Sequence, residues 1–145
     1  MNLKIRPFKK TDLVTITNLL DHNNLPTKDI LNHSIQLFVG ELNKEVVGVI
    51  GIENYETAGL LRSLAVVDRF KKLKIGELLI NQIFEYALLH KINNIYLLTE
   101  TAHKYFEKFS FKKLDRLQVP LIITQTLEFK ELCPESAVVM HKIIN

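Results

Sequence analysis

Leu60-Leu61-Arg62-Ser63-Leu64-Ala65-Val66-Val67-Asp68-Arg69-Phe70-Lys71-Lys72-Leu73-Lys74-Ile75-Gly76 runs as an apolar strand through a basic turn into a helix without a break. That order builds an anion site from backbone alone. A helix beginning near Lys74 leaves its first amide N–H groups unpaired and carries about half a positive charge at that end, so a phosphate can dock there. Arg69, Lys71, Lys72 and Lys74 deepen the well. The helix is well supported, because Ile75, Leu78, Leu79, Gln82, Ile83, Tyr86 and Ala87 recur at three- and four-residue steps, which buries one face. A plain strand-turn-helix crossover with solvated lysines fits the same residues.

Working outward, 145 residues make one domain, 1–145, large enough for a continuous core. The 47% hydrophobic and 24% charged content is that of an ordinary globular protein. The longest apolar run, Val46-Val47-Gly48-Val49-Ile50-Gly51-Ile52, is far short of a membrane span. The N-terminus alternates like a strand and lacks a signal-peptide core, which makes a cytoplasmic location the expectation. A net charge of +3, with basic residues grouped near 69–74 and 112–116, suits a polyphosphate ligand better than a nucleic-acid track. The single cysteine, Cys133, excludes an intramolecular disulfide, and no Cys/His pair has metal-ligand spacing.

The pattern predicts a strand at 2–6, a helix at 10–22 capped by Thr11 or Asp12, and a loop or short helix through 25–29. Strands follow at about 36–42, 46–54 and 59–67, then the long helix to about 90. A strand at 94–99, a helix at 101–109, a strand near 112–115, a helical or irregular stretch after Pro120 and a last strand at 136–143 complete the chain. The fold class is α+β or mixed α/β, and the long helix is of a length to join two parallel strands.

This order resembles the GNAT superfamily of N-acetyltransferases along essentially the whole chain. Ile5-Arg6-Pro7 is similar to the opening strand, Val39-Gly40-Glu41 and Val46-Val47-Gly48-Val49-Ile50-Gly51 to the second and third strands, and Leu64-Ala65-Val66 to the strand before the pyrophosphate loop. Tyr105-Phe106-Glu107-Lys108-Phe109-Ser110-Phe111 is similar to the helix-to-strand element near the thioester. Leu60 to Val66, Tyr96-Leu97-Leu98-Thr99, Val119-Pro120 and Leu132-Cys133-Pro134-Glu135-Ser136-Ala137-Val138-Val139-Met140 together resemble the arsenic-resistance acetyltransferase-like branch. The resemblance implies a central, mixed, mostly antiparallel sheet flanked by helices, with a splayed parallel strand pair. It also implies acetyl-CoA as cosubstrate and a small-molecule amine as partner, with neither nucleic acid nor membrane; it leaves a homodimer open.

Within that resemblance the phosphate loop maps to Lys71, Lys72, Leu73, Lys74, Ile75 and Gly76. Lys71 stands in for the usual arginine or glutamine and Lys74 for the first glycine, which would permit close approach and a positive φ. Either Lys74 keeps an ordinary helical backbone and its cation compensates, or its side chain blocks the pocket; the surrounding positive charge favours the first. The thioester carbonyl is held in the family by a strand amide, which maps to Leu64 or Val66, with Ala65 between them. Thr99 falls where relatives often carry a pantetheine-binding asparagine, and it also fits a helix cap.

Glu53 fits the family's general-base position, with Glu100 as a weaker second; a solvated strand-end carboxylate is the alternative. The expected acid position lands on Phe106, which has no proton to donate and is left a cofactor contact. Tyr105, one residue away, is the candidate, although one helical step turns it by about 100°. Arg62, alone on an apolar strand, is the candidate substrate residue for an acidic, amino-acid-like amine, or else it salt-bridges Glu53 or Glu56. The reading is an acetyl-CoA-dependent N-acetyltransferase with Glu53 accepting the amine proton. The alternatives are a catalytically idle acyl-CoA-binding or sensing module and an interaction domain of the same fold.

Overall fold

A computed structural model describes residues 2–132 and 135–145; Cys133 and Pro134, within the tail block read above, lie outside the described residues. Seven strands form one sheet: β1 Leu3–Pro7, β2 Ile35–Leu42, β3 Glu45–Tyr55, β4 Ala58–Val66, β5 Asn94–Thr99, β6 Lys112–Lys113 and β7 Val138–Ile143, in the order β1-β2-β3-β4-β5-β7-β6. All neighbours are antiparallel except β4 and β5, whose parallel register covers only Ala58↔Asn94 to Leu60↔Tyr96. The expected mixed, mostly antiparallel sheet with one parallel pair is therefore present. The helices are α1 Leu13–His22, α2 Ile75–Leu89, α3 His103–Glu107 and α4 Leu121–Thr124.

α2 is the crossover between the parallel strands. It buries Ile75, Leu79, Ile80, Ile83 and Ala87 against Phe38, Ile50 and Ile52 of the sheet. Full burial of each such aliphatic side chain stabilises by roughly 1.5–3 kcal/mol. Leu78, assigned to this stripe by its spacing, is 43% exposed, and Ile80 takes its place. α1 covers a second cluster, packing Ile16, Leu19 and Leu20 with Leu37, Val39 and Val49. The sheet is thus helix-covered on both sides, as its long apolar strands require.

Four local expectations are corrected. The 10–22 helix begins as a 3-10 turn, Lys10–Asp12, and Asp12 does not cap it by a side-chain bond. Its carboxylate instead accepts from Arg6 Nη1 at 2.9 Å and from the Lys9 amide at 2.8 Å, and the arginine holds its pKa below the usual value. α3 is shorter than 101–109 because the preceding residues form a turn in which Thr99 Oγ1 accepts from the Ala102 N–H at 3.0 Å. The last strand starts two residues later than 136, and the strand near 112 keeps only two residues.

Candidate active site

The parallel pairing of β4 and β5 stops at Leu60↔Tyr96, while β4 continues on β3 and β5 continues on β7. The two strands therefore diverge, and the V between them opens a cleft of about 540 Å³ lined by residues 61–66 and 97–102. Backbone groups of β4 that point away from β3 beyond Leu60 have no strand to bond and face this space. The divergence coincides with a β-bulge: Gly51 pairs with Arg62 but Val49 with Ala65, so β4 carries one extra residue. Ser63 absorbs it in the left-handed region at φ 61. A bulge there bends the strand and re-aims the Arg62 side chain out of simple alternation.

The phosphate loop residues close one end of the cleft. Lys71 and Gly76 line it, and a 3-10 turn, Asp68–Leu73, leads into α2. Lys74 does not keep the helical backbone expected of it. It sits at φ 60, ψ 29, the left-handed conformation that glycine adopts without penalty, so the position has a backbone that suits the glycine the resemblance puts there although the residue is lysine. A lysine there costs about 1 kcal/mol. Lys74→Gly is accordingly expected to raise the stability measured by urea unfolding by roughly 0.5–1 kcal/mol; an unchanged or lower stability would show that the Lys74 side chain, which is exposed, repays the strain.

The basic well is shallower than the sequence suggested. Arg69 is held by both oxygens of Glu45, at 2.7 and 2.8 Å, and lies over the Phe70 ring. Lys71 pairs with Asp68 at 3.0 Å, and Lys72 is exposed and does not line the cleft; Leu73 and Ile75 pack against or within the core. The α2 N-terminus, with Lys71 beside it, is what remains for an anion.

Beside this end, Tyr105 lines the cleft, and the one-residue offset from the expected acid position does not turn it away. A Cβ built on Gly76 would stand 2.6 Å from Tyr105 Oη, which places the hydroxyl over the first turn of α2. Burial first, and Glu77 second, push the Tyr105 pKa up, so the hydroxyl keeps its proton at neutral pH. Phe106 is buried edge-on to Phe111 while still lining the cleft. Thr99 lines it too, but its oxygen serves the turn before α3.

Arg62 and Glu53 differ most from expectation. The Arg62 side chain is 0% exposed and donates to Asp29 Oδ2 and Oδ1, each at 2.6 Å, to Glu53 Oε2 at 2.7 Å and to Ser63 Oγ at 3.1 Å. Burial opposes its charge, but the hydrogen bonds with Asp29 and Glu53 and the field of Glu128 outweigh it and raise its pKa. A guanidinium so engaged is no anchor for a substrate anion, and the alternative of a salt bridge to Glu53 is what forms. Glu53, expected as the base, is 3% exposed, accepts from Arg62 and from the Tyr55 hydroxyl, and is not among the residues lining the cleft. Two carboxylates line it: Glu100, the second base candidate, which is exposed just past β5, and Glu128, which is buried on a π-helical turn, Glu128–Leu132. Sequence reading missed Glu128 and Asp29; the one available signal was that a buried arginine on an apolar strand requires carboxylate partners somewhere in the chain.

Comparison with known proteins agrees with this geometry. A stretch of 94 residues, 64% of this chain and 60% of the relative's length, is 26% identical to an uncharacterized N-acetyltransferase, CT2212, of Chlorobaculum tepidum. The fold is similar to N-acetylglutamate synthase from Neisseria gonorrhoeae complexed with coenzyme A and N-acetyl-glutamate (TM-score 0.85, 15% identity), with 100% of this chain matching 36% of that one. It is also similar to Rv2747 from Mycobacterium tuberculosis in complex with CoA and NLQ (TM-score 0.82, 17% identity; 98% of this chain, 99% of that one). The acetyltransferase (GNAT) domain model matches residues 33–113, the span from β2 through the strand splay and α2 to β6, and with more than half its length matched the chain belongs to that family.

Proposed function

We propose that the protein transfers the acetyl group of acetyl-CoA to the amine of a small molecule, by direct attack in a ternary complex in the β4–β5 cleft. The observation that carries this reading is the coincidence, in one cleft, of an open strand edge and the free N-terminus of a 15-residue helix. The helix amides at Ile75 and Gly76, with Lys71, receive the pyrophosphate. Amides at Leu64 or Val66 that face away from β3 receive the thioester oxygen, where a preorganised donor stabilises the developing oxyanion. Tyr105, protonated at neutral pH and turned into the cleft, supplies the proton to the departing thiolate.

The acceptor's finer chemistry belongs to the proposal as well. The neighbour bound to N-acetyl-glutamate supports an amino-acid-like amine, and the tail block around Ala137 to Met140 supports the arsenic-resistance-like branch. An anionic group on the acceptor would nevertheless need a partner other than Arg62. Among the described residues no helix is long and apolar enough to cross a membrane. The test is thiol release from acetyl-CoA across a panel of amino acids, anionic amines and simple cationic amines, with mass detection of the acetylated product. Release with one class of amine supports the reading. Stabilisation by acetyl-CoA in thermal melting without release on any amine would replace it with an acyl-CoA-binding module.

A further inference from the structure

We propose that the end of the cleft lined by Arg62 and Glu128, with Asp29 and Glu53 bound to Arg62 behind it, is the seat of the acceptor's ammonium group, and that Glu128 accepts the proton the nitrogen must lose before it attacks. The proposal rests on the acetyl-transfer reading and adds to it a substrate-charge class and a catalytic residue.

The first ground is placement. Glu128 is only 4% exposed, yet it borders the cleft, and its Oε2 has no hydrogen-bond partner among the described residues. A carboxylate oxygen that is buried without a donor is costly unless something supplies one. The other carboxylates of the group are satisfied within it. Asp29 grips Arg62 with both oxygens, and Glu53 accepts from Arg62 and Tyr55. Glu128 Oε1 lies 3.9 Å from Arg62 Nε, which donates to Ser63 instead. An ammonium brings up to three donors and is the matching ligand for the oxygen left over.

The second ground is charge. One guanidinium faces three buried carboxylates, so the group carries a negative surplus that an incoming cation reduces and an anion would increase. The third is titration. Burial foremost, then Glu53 and Asp29, push the Glu128 pKa up to about 7 against the pull of Arg62. A base near neutrality takes a proton readily and can release it again at each turnover.

In the step, the acceptor R-NH3+ gives one proton to ionised Glu128 and becomes R-NH2. Its nitrogen lone pair forms the C–N bond at the acetyl carbonyl carbon as the C–S bond breaks. The sulfur leaves with the bonding pair and receives a proton from Tyr105; the second nitrogen proton restores Tyr105, and Glu128 returns its own to water.

Glu128→Gln, of nearly equal shape, keeps the cleft and removes the base. Its kcat/KM for the best amine is expected to fall by about 100-fold or more, with acetyl-CoA affinity by calorimetry within about threefold of the parent. The parent's kcat/KM should rise with pH through an acid limb near pH 7, a limb that Glu128→Gln lacks and Glu128→Asp retains at lower activity. The variant should also fold. A folded-state pKa above the ordinary 4.5 of a carboxyl means that Glu128 contributes stability below that pH and loses it as pH rises through about 7. At pH 8 the glutamine variant should therefore melt no lower than the parent. A glutamine variant within threefold of parental kcat/KM, with its acid limb intact, would overturn the Glu128 assignment alone. A parent that binds acetyl-CoA but acetylates no amine would overturn the acetyl-transfer reading, and the assignment with it.

Discussion

Arg62→Met is expected to destabilise the fold by about 3–5 kcal/mol, because it leaves buried carboxylates facing one another without the guanidinium that holds them. Asp29, Glu53 and Glu128 side chains are exposed by only 9%, 5% and 5%. Methionine fills much of the arginine's volume, so the loss reports charge more than a cavity. For a folded chain of this size that loss is a large part of the total stability. Urea unfolding at neutral pH measures it directly. Exposed ion pairs are worth far less, and replacing Arg69, which pairs with Glu45 at 64% side-chain exposure, should cost under about 1 kcal/mol. A loss below about 1 kcal/mol for Arg62→Met would mean that the carboxylates reach water or other donors, and that the buried cluster does not organise this end of the cleft.

The second large effect is expected on binding. Gly76→Asp should weaken acetyl-CoA by about 100-fold or more, equivalent to roughly 2.7 kcal/mol. Two causes act together. The new Cβ would meet Tyr105 Oη at 2.6 Å, forcing the tyrosine out of the cleft, and the carboxylate would occupy the helix end that a phosphate needs. Folding should survive, since a first-turn aspartate favours a helix and the tyrosine hydroxyl is the far end of a movable side chain. Gly76→Ala carries the steric cause without the charge and should fall between. Calorimetric affinity for Gly76→Asp equal to the parent's would remove the pyrophosphate from this turn.

The strands and the crossover helix were legible because their signals are local. Alternation and β-branching mark β2 to β4, the three- and four-residue spacing marks α2, and the helix is long enough for the crossover that the parallel pair β4 and β5 needs. The cleft was half legible, since the turn at Lys71 to Gly76 announces a helix N-terminus in its sequence. What escaped has no local signature. Ser63 in the left-handed region, where glycine or asparagine would have marked a bulge, is silent. Lys74 misled in the same way, holding a glycine's conformation without its residue. The Arg62 network joins residues 9 and 33 positions apart, and a lone arginine shows that it needs partners but not which. Glu53 looked like a base because the resemblance puts a glutamate base on this strand and the residue lies near the strand's end. It faces the arginine instead, and Glu128, in a π-helical turn with no periodicity to read, occupies the wall.

Amide NMR shifts of the protein titrated with acetyl-CoA test most directly whether the β4–β5 splay is the acetyl-CoA site. Perturbations are predicted to concentrate at Leu64 to Val66 and Lys71 to Gly76, with a second group at Thr99 to Tyr105. Saturation with shifts confined to other surfaces, such as the groove at Ile30 to Leu37, or no shift at millimolar ligand, would contradict it.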